Sequence, residues 1–150
     1  MTQSSKEVHQ LLRDLFALQK LCVLATQGRG QPYGSLVAFA ETADLKHVVF
    51  ATRRDTSKYS NVAADRRVAL LIDSRSNETA DFRNAVAVTA LGSAGEVKGN
   101  RRHRLARVYL DKHPYLEAFV NSAETALCQV VVEEYVVARF AKVKRLPMRG

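Results

Sequence analysis

A chain of 150 residues with 47% hydrophobic and 25% charged side chains has the make-up of one ordinary globular domain, which excludes collagen-like, low-complexity and disordered classes. Its apolar runs stop at five residues, far short of the roughly 20 a spanning helix needs; the polar start MTQSSKEVHQ reads as the lead-in to an amphipathic helix, not a signal peptide, so a cytoplasmic location without a membrane partner is expected. Lys and Arg number 23 against 15 Asp and Glu, a formal charge of +8 that favours an anionic partner: nucleic acid, a phosphorylated cofactor or an acidic surface.

Ser4 and Glu7 have the capping-box spacing, and Val8, Leu11, Leu12, Leu15 and Phe16 recur on one face, predicting an N-terminal helix. Strands follow. Residues 21–26 are short and apolar, 28–32 (Gly-Arg-Gly-Gln-Pro) break them, and 33–40 return as a hairpin partner. A polar turn at 41–46 leads to a third strand at 47–52, and residues 53–58 lead into a short helix through Ala64. Residues 68–73, apolar almost throughout, read as a strand covered on both faces. A polar loop, 74–84, precedes a long strand at 85–97 that Gly92 and Gly95 break where the sheet bends. A basic helix covers about 100–111, Pro114 restarts a second one ending near Asn121, and strands at 126–133 and 135–142 close the inventory. Short turns between strands exclude a parallel βαβ sheet. About seven strands with peripheral helices predict one mainly β domain over residues 1–150, an antiparallel β-barrel.

The segment Thr52-Arg53-Arg54-Asp55-Thr56-Ser57-Lys58 carries the strongest chemical signal. A phosphate needs amide donors, hydroxyls and fixed positive charge within a few ångströms, and a helix N-terminus beside Thr56, Ser57 and Lys58 offers all three. The same residues also serve as a plain helix cap with arginines in water, and both readings stay open. Cys22 and Cys128, far apart in apolar runs, read as buried free thiols. His9, His47, His103 and His113 have no metal-ligand spacing, and no metal site is expected. Arg101, Arg102, Arg104 and Arg107 read as a solvated helix face; without interleaved aromatics, nucleic acid is not the expected partner. Arg139 on the last strand is either a substrate-side group or an ordinary edge arginine.

Over residues 21–97 the chain resembles the pyridoxamine 5′-phosphate oxidase-like FMN-binding split barrels. The resemblance rests on Pro32-Tyr33-Gly34-Ser35-Leu36-Val37, Phe50-Ala51-Thr52, Thr56-Ser57-Lys58, Asn61, the run 65–71 (Asp-Arg-Arg-Val-Ala-Leu-Leu) and Ala90-Leu91-Gly92-Ser93-Ala94. It implies a split β-barrel of the FMN-binding, Greek-key antiparallel type, acting as a homodimer with the cofactor at the interface. Ser35, Leu36, Val37, Ala38, Ala51 and Thr52 would then line the flavin, largely through backbone groups; Thr52, Ser57 and Lys58 would hold its phosphate, with Thr56 beside them. The chain departs from the family's oxidases at Ser35 and Ala40, where they carry a phosphate-binding arginine and a substrate-binding lysine, and near Ala87, where they carry a flavin-contacting glutamine. It has no tryptophan and ends without their C-terminal Trp- and Arg-containing motif. The resemblance therefore implies an FMN-dependent oxidoreductase acting on a small organic substrate other than pyridoxamine phosphate. A deazaflavin-dependent reductase is the close alternative. A non-catalytic haem- or flavin-binding protein of the same fold is the second, with His103 or His113 as the available haem ligand.

Overall fold

Alternating apolar residues pair all seven strands of this chain into one antiparallel sheet. In the computed structural model, which describes residues 2–148, the elements are α1 (Gln3–Leu18), β1 (Leu21–Gly28), β2 (Gln31–Glu41), β3 (His47–Arg53), α2 (Ser57–Ala64) and β4 (Arg67–Asp73). They continue as α3 (Asp81–Asn84), β5 (Ala87–Glu96), α4 (Gly99–Lys112), a 3-10 turn (Pro114–Leu116), α5 (Glu117–Asn121), β6 (Thr125–Arg139) and β7 (Lys142–Pro147). Met1, Arg149 and Gly150, at the ends of the expected domain, lie outside the described residues. Among the described residues no helix is long and apolar enough to cross a membrane.

The strand order is β3-β2-β1-β4-β5-β6-β7, and β3 also pairs with β6, closing six strands into a barrel. The order β4-β1-β2-β3 is a Greek key. This is the split-barrel architecture that the resemblance implies. Phe16 of α1 plugs the barrel core, edge-on to Phe39 and tilted against Tyr135. A second, smaller core lies outside the barrel, where Ala40, Val49, Ala51 and Leu127 meet Leu105 and Tyr109 of α4 and Val120 of α5.

Several expectations need correction. Thr2, not Ser4, caps α1, its hydroxyl accepting from the Ser5 amide, and the helix already contains Ser4. The first hairpin turns on Arg29 and Gly30 alone, both at positive φ, the two-residue geometry that suits strand twist. β4 is not covered on both faces: Val68, Leu70 and Ile72 are buried while Ala69 and Leu71 stay partly open. The strand covered on both faces is β3, because it lies between the barrel core and α4. A one-turn helix, α3, interrupts the expected 74–84 loop, stabilised by Asp81 accepting from the amides of Ser76, Asn77 and Glu78. The two expected final strands are one, β6, which absorbs Glu133 as a bulge: Leu91 pairs with Glu134 and Gly92 with Val132. Gly92 is required there, since a Cβ would stand 2.2 Å from the Val131 carbonyl oxygen. β7 was not expected at all; it pairs with the far half of β6.

Candidate functional site

At the end of β3 the chain turns sharply into α2. Thr56 caps this helix, accepting from the Tyr59 amide at 3.3 Å and donating to the Arg53 carbonyl at 2.9 Å. The buried Thr52 hydroxyl lies 2.9 Å from that of Thr56, so the two threonines close the turn on itself. The first amides of α2, those of Ser57 and Lys58, have no intrahelical acceptor and lie at the positive end of the helix dipole.

Ion pairs brace this corner. Arg53 reaches Asp55 at 3.1 Å and Glu124 at 3.0 Å, and Arg54 reaches Glu96 at 2.5 Å and the Ala123 carbonyl at 2.7 Å. Tyr59 donates to Glu96 at 2.8 Å. Burial pushes the Glu96 carboxyl up, but its hydrogen bonds from Arg54 and Tyr59 outweigh this and hold it below the usual range. The half-buried Lys58 belongs to none of these pairs.

The facing wall comes from the α4–α5 segment. Tyr109, buried on α4, donates its hydroxyl to the Ala38 carbonyl at 3.2 Å, and burial pushes that phenol up. His113 is fully buried at the end of α4, with Nε2 2.7 Å from the Phe39 carbonyl and Nδ1 3.2 Å from the Tyr115 hydroxyl. Burial holds its imidazole below the ordinary value. Both bonds fit a neutral ring that donates from Nε2 and accepts at Nδ1.

Between these walls lies a cleft of about 280 Å³. It brings together Leu36, Val37, Ala38, Ala51, Thr52, Thr56 and Lys58 from the sequence reading. Ser35 and Ser57 are not in its lining: the Ser35 hydroxyl is directed to the Leu24 carbonyl at 3.5 Å, and Ser57 is exposed on the first turn of α2. The cleft adds Arg53, Tyr109, Leu116 and Phe119, which sequence reasoning missed as site residues. Helical spacing puts Tyr109 on a buried face, but nothing local says that this face meets Ala38, 71 residues away.

Of the basic cluster, Arg101 and Arg102 are structural bolts, not solvated charges. Arg101 holds the Gln129 amide oxygen at 3.0 and 2.7 Å, and Arg102 holds the Val120 carbonyl at 2.9 Å. Arg104 and Arg107 face solvent, as does His103, whose Nδ1 lies 2.9 Å from the Gly99 carbonyl. Arg139 lines a different groove. Both cysteines are buried and free, and burial pushes each thiol up to about 12. Among the described residues no group of three or more His, Cys, Asp or Glu could hold a metal ion.

A family model described as pyridoxamine 5′-phosphate oxidase matches residues 8–135. No curated protein matches the chain by sequence. Among solved structures, a haem-binding protein from Mycobacterium smegmatis superposes with a TM-score of 0.82 at 17% identity, covering 98% of this chain and 59% of that one. A Clostridium acetobutylicum protein related to general stress protein 26, of the pyridoxinephosphate oxidase family, gives 0.74 at 12% identity over 95% and 96% of the two chains. An FAD-binding protein from Mesorhizobium loti gives 0.66 at 17% identity over 84% and 88%. The likeness to all three is one of fold, and the chain spans about three fifths of the length of the M. smegmatis protein.

Proposed function

Because the chain belongs to the pyridoxamine 5′-phosphate oxidase family, we propose that its cleft holds FMN and that the protein is a flavin-dependent oxidoreductase for a small organic substrate. One observation carries this reading: two small side chains, Ala38 and Ala51, line the same cleft as the start of α2 and Lys58, which no ion pair among the described residues uses. Alanines on adjacent strands let a flat ring lie against backbone. The open amides at the start of α2, that of Lys58 in the cleft lining and that of Ser57 next to it in the chain, suit a phosphate at one end together with the Lys58 ammonium. The donor set therefore fits FMN. Thr52 and Thr56 would fix the turn that aims those amides, while Leu116 and Phe119 would shield the ring from water. Bound FMN supplies the electron-accepting ring; the chain binds it, orients it and shapes access.

The substrate we propose is not pyridoxamine phosphate. Position 40 is a buried alanine and supplies no cation. The cations lining the cleft are Lys58 and Arg53, and Arg53 is already tied to Asp55 and Glu124. Haem gains no support from His113, since both its ring nitrogens are engaged.

A homodimer is part of the proposal. Leu36, 65% exposed, is cross-strand to Val23, and Val23 to Leu71, which makes an open apolar row on the outer barrel face. Leu36 also lines the cleft, so a second copy covering that row would complete it. At about 280 Å³ the cleft of one chain falls just short of the ~300–1,000 Å³ usual for ligand sites. Mass spectrometry of the co-purified small molecule, with absorbance and sedimentation, tests the reading. FMN mass, flavin bands and a dimer are expected. Haem mass with a Soret band, or a monomer that binds FMN tightly, would overturn it.

A further inference from the structure

A second concavity, of about 360 Å³, lies between α1 and the β6–β7 hairpin and shares no residue with the cleft. Its floor is apolar: Val8 and Leu11 from α1, with Val86 and Val137. Its hairpin side carries Arg139, Lys142 and Lys144, all exposed. We propose that this groove binds a single-chain anionic amphiphile, the alkyl chain lying on the floor and a carboxylate head held by the hairpin cations.

Two observations carry this. First, Arg139 stands directly opposite Lys142 in the β6–β7 register, and Lys144 lies opposite Val137, so the three cations share one face of the hairpin. Like charges directly opposed across strands destabilise a hairpin, a cost that a bound anion offsets. Second, no ion pair among the described residues uses any of the three, whereas Arg145 on the other face of β7 pairs with Glu134 at 2.7 Å. Glu7 is the one carboxylate lining the groove, and it lies 3.4 Å from the Gln3 side-chain amide. The charge asymmetry calls for an anion and the floor for a hydrocarbon. A nucleic acid would find no aromatic ring in the groove to stack on.

Calorimetric titration of octanoate, decanoate and dodecanoate into the full chain, below the concentrations at which they form micelles, tests the proposal. Saturable binding is expected, tightening about fourfold per added methylene until the floor is covered. Acetate, without a chain, and decanol, without a charge, should each bind at least tenfold more weakly than decanoate. The double variant Lys142→Glu/Lys144→Glu should lose tenfold or more while its melting temperature holds or rises, because Glu at 142 faces Arg139 across the strands. Leu11→Gln, which leaves the cations in place, should flatten the chain-length dependence. Absence of saturable binding, equal affinity in the charge variant, or indifference to chain length would each overturn the proposal. So would binding to phosphatidylcholine–phosphatidylglycerol vesicles without binding of monomeric decanoate, which would point to a membrane surface instead. None of these outcomes depends on what fills the cleft.

Discussion

Replacing Lys58 with alanine takes from the cleft a cation that no ion pair among the described residues uses. Lys58 occupies the second position of α2, half-buried, beside the amides left open at the helix start. Arg53 cannot take over its role without abandoning Asp55 and Glu124. The helix cap is untouched, because Thr56 still accepts from the Tyr59 amide, and alanine is a good helix former. One charge-assisted contact to a phosphate is worth about 1.5–3 kcal/mol, so FMN affinity should fall roughly 10- to 150-fold. Riboflavin has the same ring and no phosphate, and its affinity should hardly change. Quenching of flavin fluorescence, titrated for both flavins against the parent chain and Lys58→Ala, reads the two numbers side by side. Equal FMN affinity in the two proteins would remove Lys58 from the site. Equal loss for both flavins would mean that the cleft changed shape and that the charge argument is wrong.

Gly92→Ala should lower the urea midpoint by the equivalent of about 1–3 kcal/mol or more, since the new Cβ would press on the Val131 carbonyl oxygen, backbone that side-chain rotation cannot relieve; an unchanged midpoint would contradict the bulge geometry. His113 should make the fold acid-sensitive: burial, partly offset by the bond to Phe39, holds its folded-state value below the ordinary ~6.5, so its stability contribution is complete above that pH and is lost as pH falls through the folded value. Denaturant melts at pH 7.5 and 5.5 should therefore diverge more in the parent than in His113→Gln, and identical divergence would show that the imidazole is not the sensor.

Much of the local structure was legible. The amphipathic face of α1, the Gly-rich first hairpin and the strands β1 to β4 follow from residue spacing within a window of a few side chains. The turn at residues 53–56 was legible for the same reason: cap, open amides and lysine are neighbours in the chain. Where the reading failed, distant groups decided. Residues 126–142 read as two strands separated at Glu134, yet β5 and β7 supply partners across that break and the sheet absorbs the irregularity as a bulge at Glu133. The basic helix looks solvated, yet Arg101 and Arg102 find a glutamine and a carbonyl on elements that follow it in the chain.

The sequence by itself determined that this chain is antiparallel, β-rich and carries a capped helix start with Thr56, Ser57 and Lys58 after its third strand, because alternation, turn chemistry and helix capping act between residues close in the chain. Tertiary structure alone decided that β3 closes on β6, that β3 rather than β4 is covered on both faces, and that Tyr109 and Phe119 wall a cleft whose floor is Ala38 and Ala51. A period-two pattern tells which side chains share a face; it holds no information on what that face will meet. That meeting is fixed only when strands distant in the chain pair and bring a helix down over them.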